Sequence, residues 1–328
     1  MNKQPIKLGE TGPSVFPLGL GCMGFSGMYG PTDDAESIAT IEAAIDAGIT
    51  LIDTGDFYGM GHNELLVARG IAGRRDRVQI SVKFGGMRGP DGAFIGLDTR
   101  PVAVKNFVAY SLKRLGVESI DVYRPARLDP AVPIEDTIGA IADLVKAGYV
   151  RHIGLSEVGV ETIARAAKVH PIVDLQIEYS LVSRGPEAQI FPLLHKLGMS
   201  ATLYGIFSRG LLTGRKSTGK GDFRAHLPRF AADAQAQNER VVSALQAFAR
   251  ERNMTTGQLA VSWALAAQPS FVPVVGAKNR TQLADSLAAL DKPLSPEDLV
   301  VLAALVPEGA IAGTRYGAEQ MAHLDSEK

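Results

Sequence analysis

Eight times between Leu18 and Leu290 the chain passes from a short run rich in Ile, Val and Leu into a stretch whose apolar residues recur every three or four positions. The runs are LGLGCMG, TLIDTGD, VQISVKFG, SIDVYRPA, VRHIGLSE, IVDLQIEYS, SATLYGIF and FVPVVGAK. Runs this continuously apolar are the mark of strands buried on both faces, and the 3.6-residue period that follows each marks a helix packing one side. After the fourth run, Ile138, Ile141, Leu144 and Val145 form such a stripe. Gly48, Gly116, Gly148 and Gly198 stand where a helix can end on a left-handed residue. Strand–helix units joined by right-handed crossovers give a parallel sheet, and eight of them can close on themselves. The expected fold is therefore an α/β (β/α)8 barrel, with residues 1–328 as a single domain. An open doubly wound sheet is the competitor, but GLGCMGFSG after the first run lacks the G-x-G-x-x-G spacing of a dinucleotide loop.

Two segments lie outside the repeat. Ile6–Leu8 and Val15–Phe16, separated by GETGPS, predict a hairpin that plugs the open bottom of the barrel. SPEDLVVLAALV predicts a C-terminal helix, followed by a Gly/Ala-rich tail. The longest irregular stretch, Ser208–Pro228, is basic and glycine-rich, a composition suited to wrapping an anionic ligand. The whole chain is close to neutral, with 34 Lys+Arg against 35 Asp+Glu, so bulk charge suggests no nucleic-acid partner and any anion site must be local. Cys22 is the only cysteine, which excludes an intrachain disulfide and suits a reducing, cytoplasmic setting. No apolar run is long enough to span a bilayer, and MNKQPIKLGETGPS lacks the apolar centre of a secretory signal. His62, His152, His170, His195 and His226 show no metal-ligand spacing, so no metal is expected. Oligomeric state is not legible.

Barrel enzymes carry their chemistry at the C-terminal ends of the strands. The runs deliver Asp53 with Tyr58 beyond it, Lys83, Arg124 to Arg127, Ser156 and Glu157, Gln176 with Glu178 and Tyr179, Tyr204, and Gly276 with Lys278 to that mouth. Taken singly, a strand-end Asp reads as a cap, a Tyr as packing and a Lys as a solvated cation. Three together suggest more. Tyrosine is a poor acid at neutral pH; a neighbouring ammonium lowers its pKa, and a carboxylate keeps that ammonium charged and oriented. Such a phenol can protonate a carbonyl oxygen as hydride reaches the carbon.

IDTGDFYG (Ile52–Gly59), SVKFG (Ser81–Gly85), GLSE (Gly154–Glu157), QIEYS (Gln176–Ser180), SRGLLTG (Ser208–Gly214) and VGAKNRTQLADSL (Val275–Leu287) resemble, in order and over almost the whole chain, the motifs of aldo-keto reductases. The bacterial pyridoxal-reductase-like and plant auxin-induced-protein-like branches are the nearest in pattern, with the potassium-channel β subunit more distant. The resemblance implies NADP(H) as cofactor and a small-molecule carbonyl or alcohol as substrate. It implies Tyr58 as general acid/base, Lys83 as its tuner and Asp53 as partner of Lys83. Ser156, Glu157 and Gln176 would hold the nicotinamide carboxamide, with Gly21, Cys22 and Met23 close by. Tyr204 would stack on the nicotinamide. Gly205, Ile206, Phe207, Arg209 and Gly210 would follow the ribose and pyrophosphate, with Arg229 adding a phosphate contact. Gly276, Lys278, Arg280, Gln282, Asp285 and Ser286 would surround the adenosine, and Lys278 with Arg280 at a helix start would favour the 2′-phosphate of NADP.

One motif departs from the family. Where relatives read like DLYYQHRVDP, this chain reads DVYRPARLDP, so Ala126 stands at the place of a histidine that orients the substrate carbonyl. Arg124 shares a strand face with Ala126. It either reaches up to replace the imidazole or is tied to a buried acid beneath. Phe57, Arg124, Arg127, the Met87–Leu97 loop and the tail around Arg315 and Tyr316 are the expected substrate contacts. The leading expectation is an NADPH-dependent aldehyde or ketone reductase. Its rivals are an NAD(P)+-dependent alcohol or sugar dehydrogenase, a Schiff-base lyase using Lys83, and a non-catalytic NADP(H)-binding redox sensor.

Overall fold

A computed structural model describes residues 3–215 and 222–328. Twelve strands and eleven α-helices are found among them. β1 (Ile6–Lys7) and β2 (Ser14–Val15) pair antiparallel as a hairpin. Eight parallel strands then close into a barrel. They are β3 (Gly19–Gly21), β4 (Leu51–Gly55), β5 (Gln79–Phe84), β8 (Ile120–Pro125), β9 (Val150–Ser156), β10 (Ile172–Glu178), β11 (Ser200–Tyr204) and β12 (Val272–Gly276). Each coincides with one of the eight apolar runs. The helices that follow are α1 (Asp34–Asp46), α2 (His62–Gly70), α3 (Pro101–Leu115), α4 (Ile134–Lys146), α5 (Val160–Val169), α6 (Ile190–Lys196), α7 (Ala232–Glu251), α8 (Thr256–Ala267) and α9 (Arg280–Ala288). α10 (Pro296–Leu305) starts on the expected Ser-Pro, with Ser295 closing a capping box with Asp298, and α11 (Ala318–Ala322) lies in the tail.

The hairpin sits where the sequence places it. Leu8 and Val15 pack on Leu51, Val122, Val173, Val272 and Val274 at the lower ends of the barrel strands. The Met87–Leu97 segment is more ordered than a loop: β6 (Gly86–Arg88) and β7 (Phe94–Leu97) form a second hairpin. Of the irregular stretch expected at Ser208–Pro228, residues 216–221 lie outside the described residues. The rest folds into short 3-10 turns with a buried Asp222–Arg224 ion pair at 2.7 Å. Tyr179 does not join the mouth: it points outward and stacks on Trp263, ring centroids 5.0 Å apart.

Side-chain alternation gives the barrel wall two characters. Ile52, Ile80, Val82, Ile153, Leu175 and Leu203 face the helices in the main hydrophobic core. Their strand neighbours Asp53, Ser81, Lys83, Arg124, Ser156, Asp174, Gln176 and Thr202 are buried and polar, and alternation turns them into the barrel. A polar interior must be fully hydrogen-bonded to be tolerated, and that requirement shapes the site above it.

A second buried polar cluster surrounds the β4–α2 connection. Asp56 is 7% exposed and its carboxyl oxygens meet no well-formed hydrogen bond. Burial, and then the Glu64 carboxylate, push its pKa up to about 8, with Arg114 opposing. The folded protein thus holds a proton at neutral pH that the unfolded chain releases. This contribution to stability is full below the unfolded carboxylate pKa and is lost as pH rises through about 8. Thermal melts between pH 6 and pH 9 should show wild type losing roughly 2 kcal/mol more than Asp56→Asn. Parallel pH dependence in the two proteins would refute the protonated carboxyl.

Candidate active site

Asp53, Tyr58 and Lys83, brought by β4, the turn after it and β5, meet at the upper end of the barrel. Lys83 Nζ lies 2.6 Å from Asp53 Oδ2, and Ser81 Oγ and Gln176 Nε2 each donate to Asp53 Oδ1 at 2.9 Å. Lys83 Nζ stands 5.3 Å from the centre of the Tyr58 ring. The turn that carries Tyr58 depends on two glycines. A Cβ on Gly55 would press within 3.3 Å of the phenol ring, and Gly59 has φ +55 with Ser26 Cβ 2.9 Å from where its own Cβ would be. Phe57 braces the phenol edge-on at 4.9 Å. Among the described residues no hydrogen bond engages the Tyr58 hydroxyl, so it remains available to a ligand.

The electrostatics differ from the sequence expectation. Burial, and then Asp53, push the Tyr58 pKa well above 10, while Arg127 opposes them. Lys83, 5.3 Å from the ring centre, is itself paired with Asp53 at 2.6 Å. Burial in turn lowers the Lys83 pKa, against the pull of Asp53. The phenol therefore keeps its proton, as a donor must.

Arg124 is not a substrate contact, which corrects one of the two readings of that residue. It is fully buried. It donates to Asp174 Oδ2 at 2.9 Å, to Thr202 Oγ1 at 3.3 Å, to the Leu155 carbonyl at 3.3 Å and to Ser81 Oγ at 3.1 Å. A buried guanidinium goes to a buried carboxylate in preference to an open space above it, and Ser81 links this layer to Asp53.

The expected carboxamide residues divide. The hydroxyl of Ser156 is buried with no partner, a polar atom that a ligand amide would satisfy. Gln176 spends its amide nitrogen on Asp53 and leaves its side-chain oxygen unpaired among the described residues. The Glu157 carboxylate is engaged by the C-terminal tail. Its carboxylate takes Arg315 at 2.7 Å, Ser326 Oγ at 2.7 Å and the Tyr204 hydroxyl at 2.8 Å, and also the Glu178 amide. Burial works against its ionisation, but the Arg315 charge outweighs it and holds the pKa near about 2. Tyr204 lies half-buried at the mouth with its hydroxyl tethered to Glu157 and 3.2 Å from that of Tyr316.

The turn after β11 is strained where the ribose and pyrophosphate are expected. Gly205 and Gly210 have positive φ, and so do Ser208 (45°) and Arg209 (56°), which are not glycine. Ile206 is buried and Phe207 half-buried beneath it. Arg209 reaches Glu178 at 2.8 Å and covers the Tyr316 ring at 4.4 Å. Arg229 donates to Ser183 Oγ and Ser208 Oγ at 2.9 and 3.1 Å. Gly21 lies in register with both Asp53 and Gly276, and the exposed Gly276 leaves open space where a side chain would be. Cys22 is buried, with its thiol pKa raised by that burial, and Met23 follows in the first turn above β3.

At the adenosine end the two expected phosphate cations are already engaged. Lys278 Nζ donates to the Tyr29 carbonyl at 2.6 Å. Arg280 forks onto Glu36, at 2.9 Å from Nη2 and 3.2 Å from Nε, while Glu36 Oε1 also accepts the Arg280 amide at 3.0 Å. A carboxylate thus occupies the anion position at the start of α9. Gln282 accepts the Lys278 amide, Asp285 accepts Thr255 and Gln258 side chains, and Ser286 donates to the Gln282 carbonyl. Glu36 was missed because, in sequence, an acid in the first turn of α1 reads as a favourable charge for its own helix. Among the described residues no group of acids, His and Cys could hold a metal, and no helix is long and apolar enough to cross a membrane.

Comparison with known proteins identifies the family. The aldo/keto reductase family matches residues 17–306. The chain is 39% identical over 321 residues to probable aldo-keto reductase 1 of Glycine max, covering 95% of this chain and 92% of that one. It is 33% identical over 312 residues to the NADP(+)-designated aldo-keto reductase yakc of Schizosaccharomyces pombe, covering 92% of each. Among solved structures, glycerol dehydrogenase AKR11B4 from Gluconobacter oxydans superposes with a TM-score of 0.84 at 27% identity, over 93% of this chain and 95% of that one. Aldo-keto reductase AKR11C1 from Bacillus halodurans, solved in its holo form, gives 0.77 at 27% identity, over 93% and 97%. With a family match across residues 17–306, a 39% identical relative along nearly the whole chain and a closed eight-stranded barrel, this protein belongs to the aldo/keto reductase family of carbonyl–alcohol oxidoreductases.

Proposed function

We propose that this chain reduces aldehydes or ketones to alcohols with NADPH, reversibly, with Tyr58 handling the proton. The observation that carries the reading is the buried Asp53–Lys83 pair beneath a Tyr58 hydroxyl that no neighbour claims. The unpaired Ser156 hydroxyl supports a cofactor amide at the same mouth, and the designation of yakc as an NADP(+) protein supports the cofactor. The cofactor would supply hydride to the carbonyl carbon. Ser156 and Gln176 would fix the amide end, Tyr204 would lie against the ring, and the strained Ser208–Gly210 backbone with Arg209 and Arg229 would follow the phosphates. Tyr58 would hand its proton to the carbonyl oxygen, while Asp53 keeps Lys83 charged beneath the phenol.

Lys83 serves a Schiff-base mechanism poorly, since its nitrogen is directed onto Asp53 at 2.6 Å in place of an approaching carbonyl carbon. The dehydrogenase direction is the second reading, favoured by likeness to a glycerol dehydrogenase. Fluorescence titration with NADPH and NADH, followed by a carbonyl and alcohol panel, tests both directions. The reading fails if neither dinucleotide binds, or if a bound one is never turned over. Glu36 predicts the cofactor balance. Its carboxylate competes with a 2′-phosphate for Arg280, so Glu36→Gln should tighten NADPH by about fivefold relative to NADH, the scale of one exposed ion pair. An unchanged ratio of dissociation constants would place the 2′-phosphate elsewhere.

A further inference from the structure

Four cations at or near the mouth of the barrel are held by carboxylates. Lys83 is held by Asp53 at 2.6 Å, Arg209 by Glu178 at 2.8 Å, Arg229 by Glu178 at 3.6 Å, and Arg315 by Glu157 at 2.7 Å. Arg127 differs from these four: among the described residues no carboxylate pairs with it. Nη1 donates to the carbonyl of its neighbour Ala126 at 2.6 Å, and Nη2 reaches the Tyr316 hydroxyl only at 3.4 Å. The other donors of the fork are unused. Glu157 is near enough to influence Arg127 but is saturated by Arg315, Ser326, Tyr204 and the Glu178 amide.

A partly buried guanidinium whose remaining donors meet no protein acceptor is open to a ligand that offers two. Its place is specific. Arg127 follows directly on Ala126, the residue that stands in for the family's imidazole, so the side chain that would fill the end of β8 stops at Cβ. The hydroxyls of Tyr204 and Tyr316 lie 3.2 Å apart beside it, and its charge reaches the Tyr58 phenol. The planar fork matches a carboxylate by two parallel hydrogen bonds, and the tethering of its neighbours to the folded tail presents it ready-made.

We propose that Arg127 is the substrate-recognition residue of this enzyme and that it selects carbonyl compounds bearing a carboxylate, so that the natural substrates are oxo acids or aldehyde acids. The assignment rests on the reductase reading above. Binding exchanges the long contact to Tyr316 for a charge-assisted pair with the substrate, and it replaces orientation of the carbonyl by an imidazole with anchoring of the substrate's other end.

The test compares 4-carboxybenzaldehyde with its methyl ester, which differ in charge at the same aldehyde. Wild type should prefer the acid in kcat/KM by about 10-fold or more, and Arg127→Gln should lower that preference by about 30-fold, the scale of a hydrogen bond between charged groups. The loss should appear in KM for the acid, with Arg127→Lys between the two, and added salt should raise KM for the acid more than for the ester. Cofactor Kd, measured by fluorescence, reports that each variant is folded. A wild-type preference at or below unity, which needs no variant, overturns the assignment and leaves the reductase reading intact. Equal losses for acid and ester in Arg127→Gln also overturn it, since the arginine would then act on the reacting carbonyl itself. Bound cofactor with neither aldehyde turned over overturns both readings.

Discussion

Tyr58→Phe is expected to lower kcat for carbonyl reduction by about 1,000-fold, the scale of a positioned general acid, while cofactor binding is preserved. The phenol is 7% exposed and pinned by Phe57 and by the close approach of Gly55, so the phenyl ring fits the same space. Only the hydroxyl is lost, and no described residue depends on it for a hydrogen bond. Burial and Asp53 hold the phenol pKa well above 10. In the reducing direction, the rate should therefore not fall through loss of the Tyr58 proton anywhere below pH 9. Steady-state kinetics with NADPH and a reactive aldehyde, alongside a cofactor titration of the same variant, checks this. Retention of more than about a tenth of kcat would move the proton donor to another group and undo the role given to Tyr58.

Arg124→Met should instead act on stability. Asp174 would keep only the Thr202 hydroxyl, at 2.7 Å, as a side-chain partner and would lie uncompensated in the barrel interior. Breaking one side of a buried pair costs roughly 3–5 kcal/mol, which for a chain of this size is a fall in Tm of about 4–7 °C. Adding Asp174→Asn should recover part of the loss, because the stranded charge is the larger part of the penalty. In the folded Arg124→Met protein, kcat should stay within a few-fold of wild type, since Ser81 and Gln176 still hold Asp53. A normal Tm with a collapsed kcat would restore Arg124 to the substrate pocket.

Legibility followed the range of the interactions involved. The eight strands and their order are visible because period-two and period-3.6 patterns are local, and the Asp53–Tyr58–Lys83 meeting follows because two consecutive strands and the turn between them carry those residues. Two charge pairings that the sequence leaves unread share one cause. Arg124 and Glu157 are read in sequence as free side chains near the mouth. Their partners Asp174 and Arg315 lie 50 and 158 residues away. Glu36 on Arg280 is the same case across 244 residues.

The repeat of apolar runs and amphipathic stretches is sufficient to specify a closed parallel barrel, and with it the end at which the chemistry gathers, because burial of strand faces and helix stripes is decided residue by residue along the chain. Which buried charges neutralise one another is decided only when the tail, the β8 end and the first helix are brought together. A carboxylate chooses its cation by distance in space, and nothing in the spacing of residues records that Arg127 would be left without one.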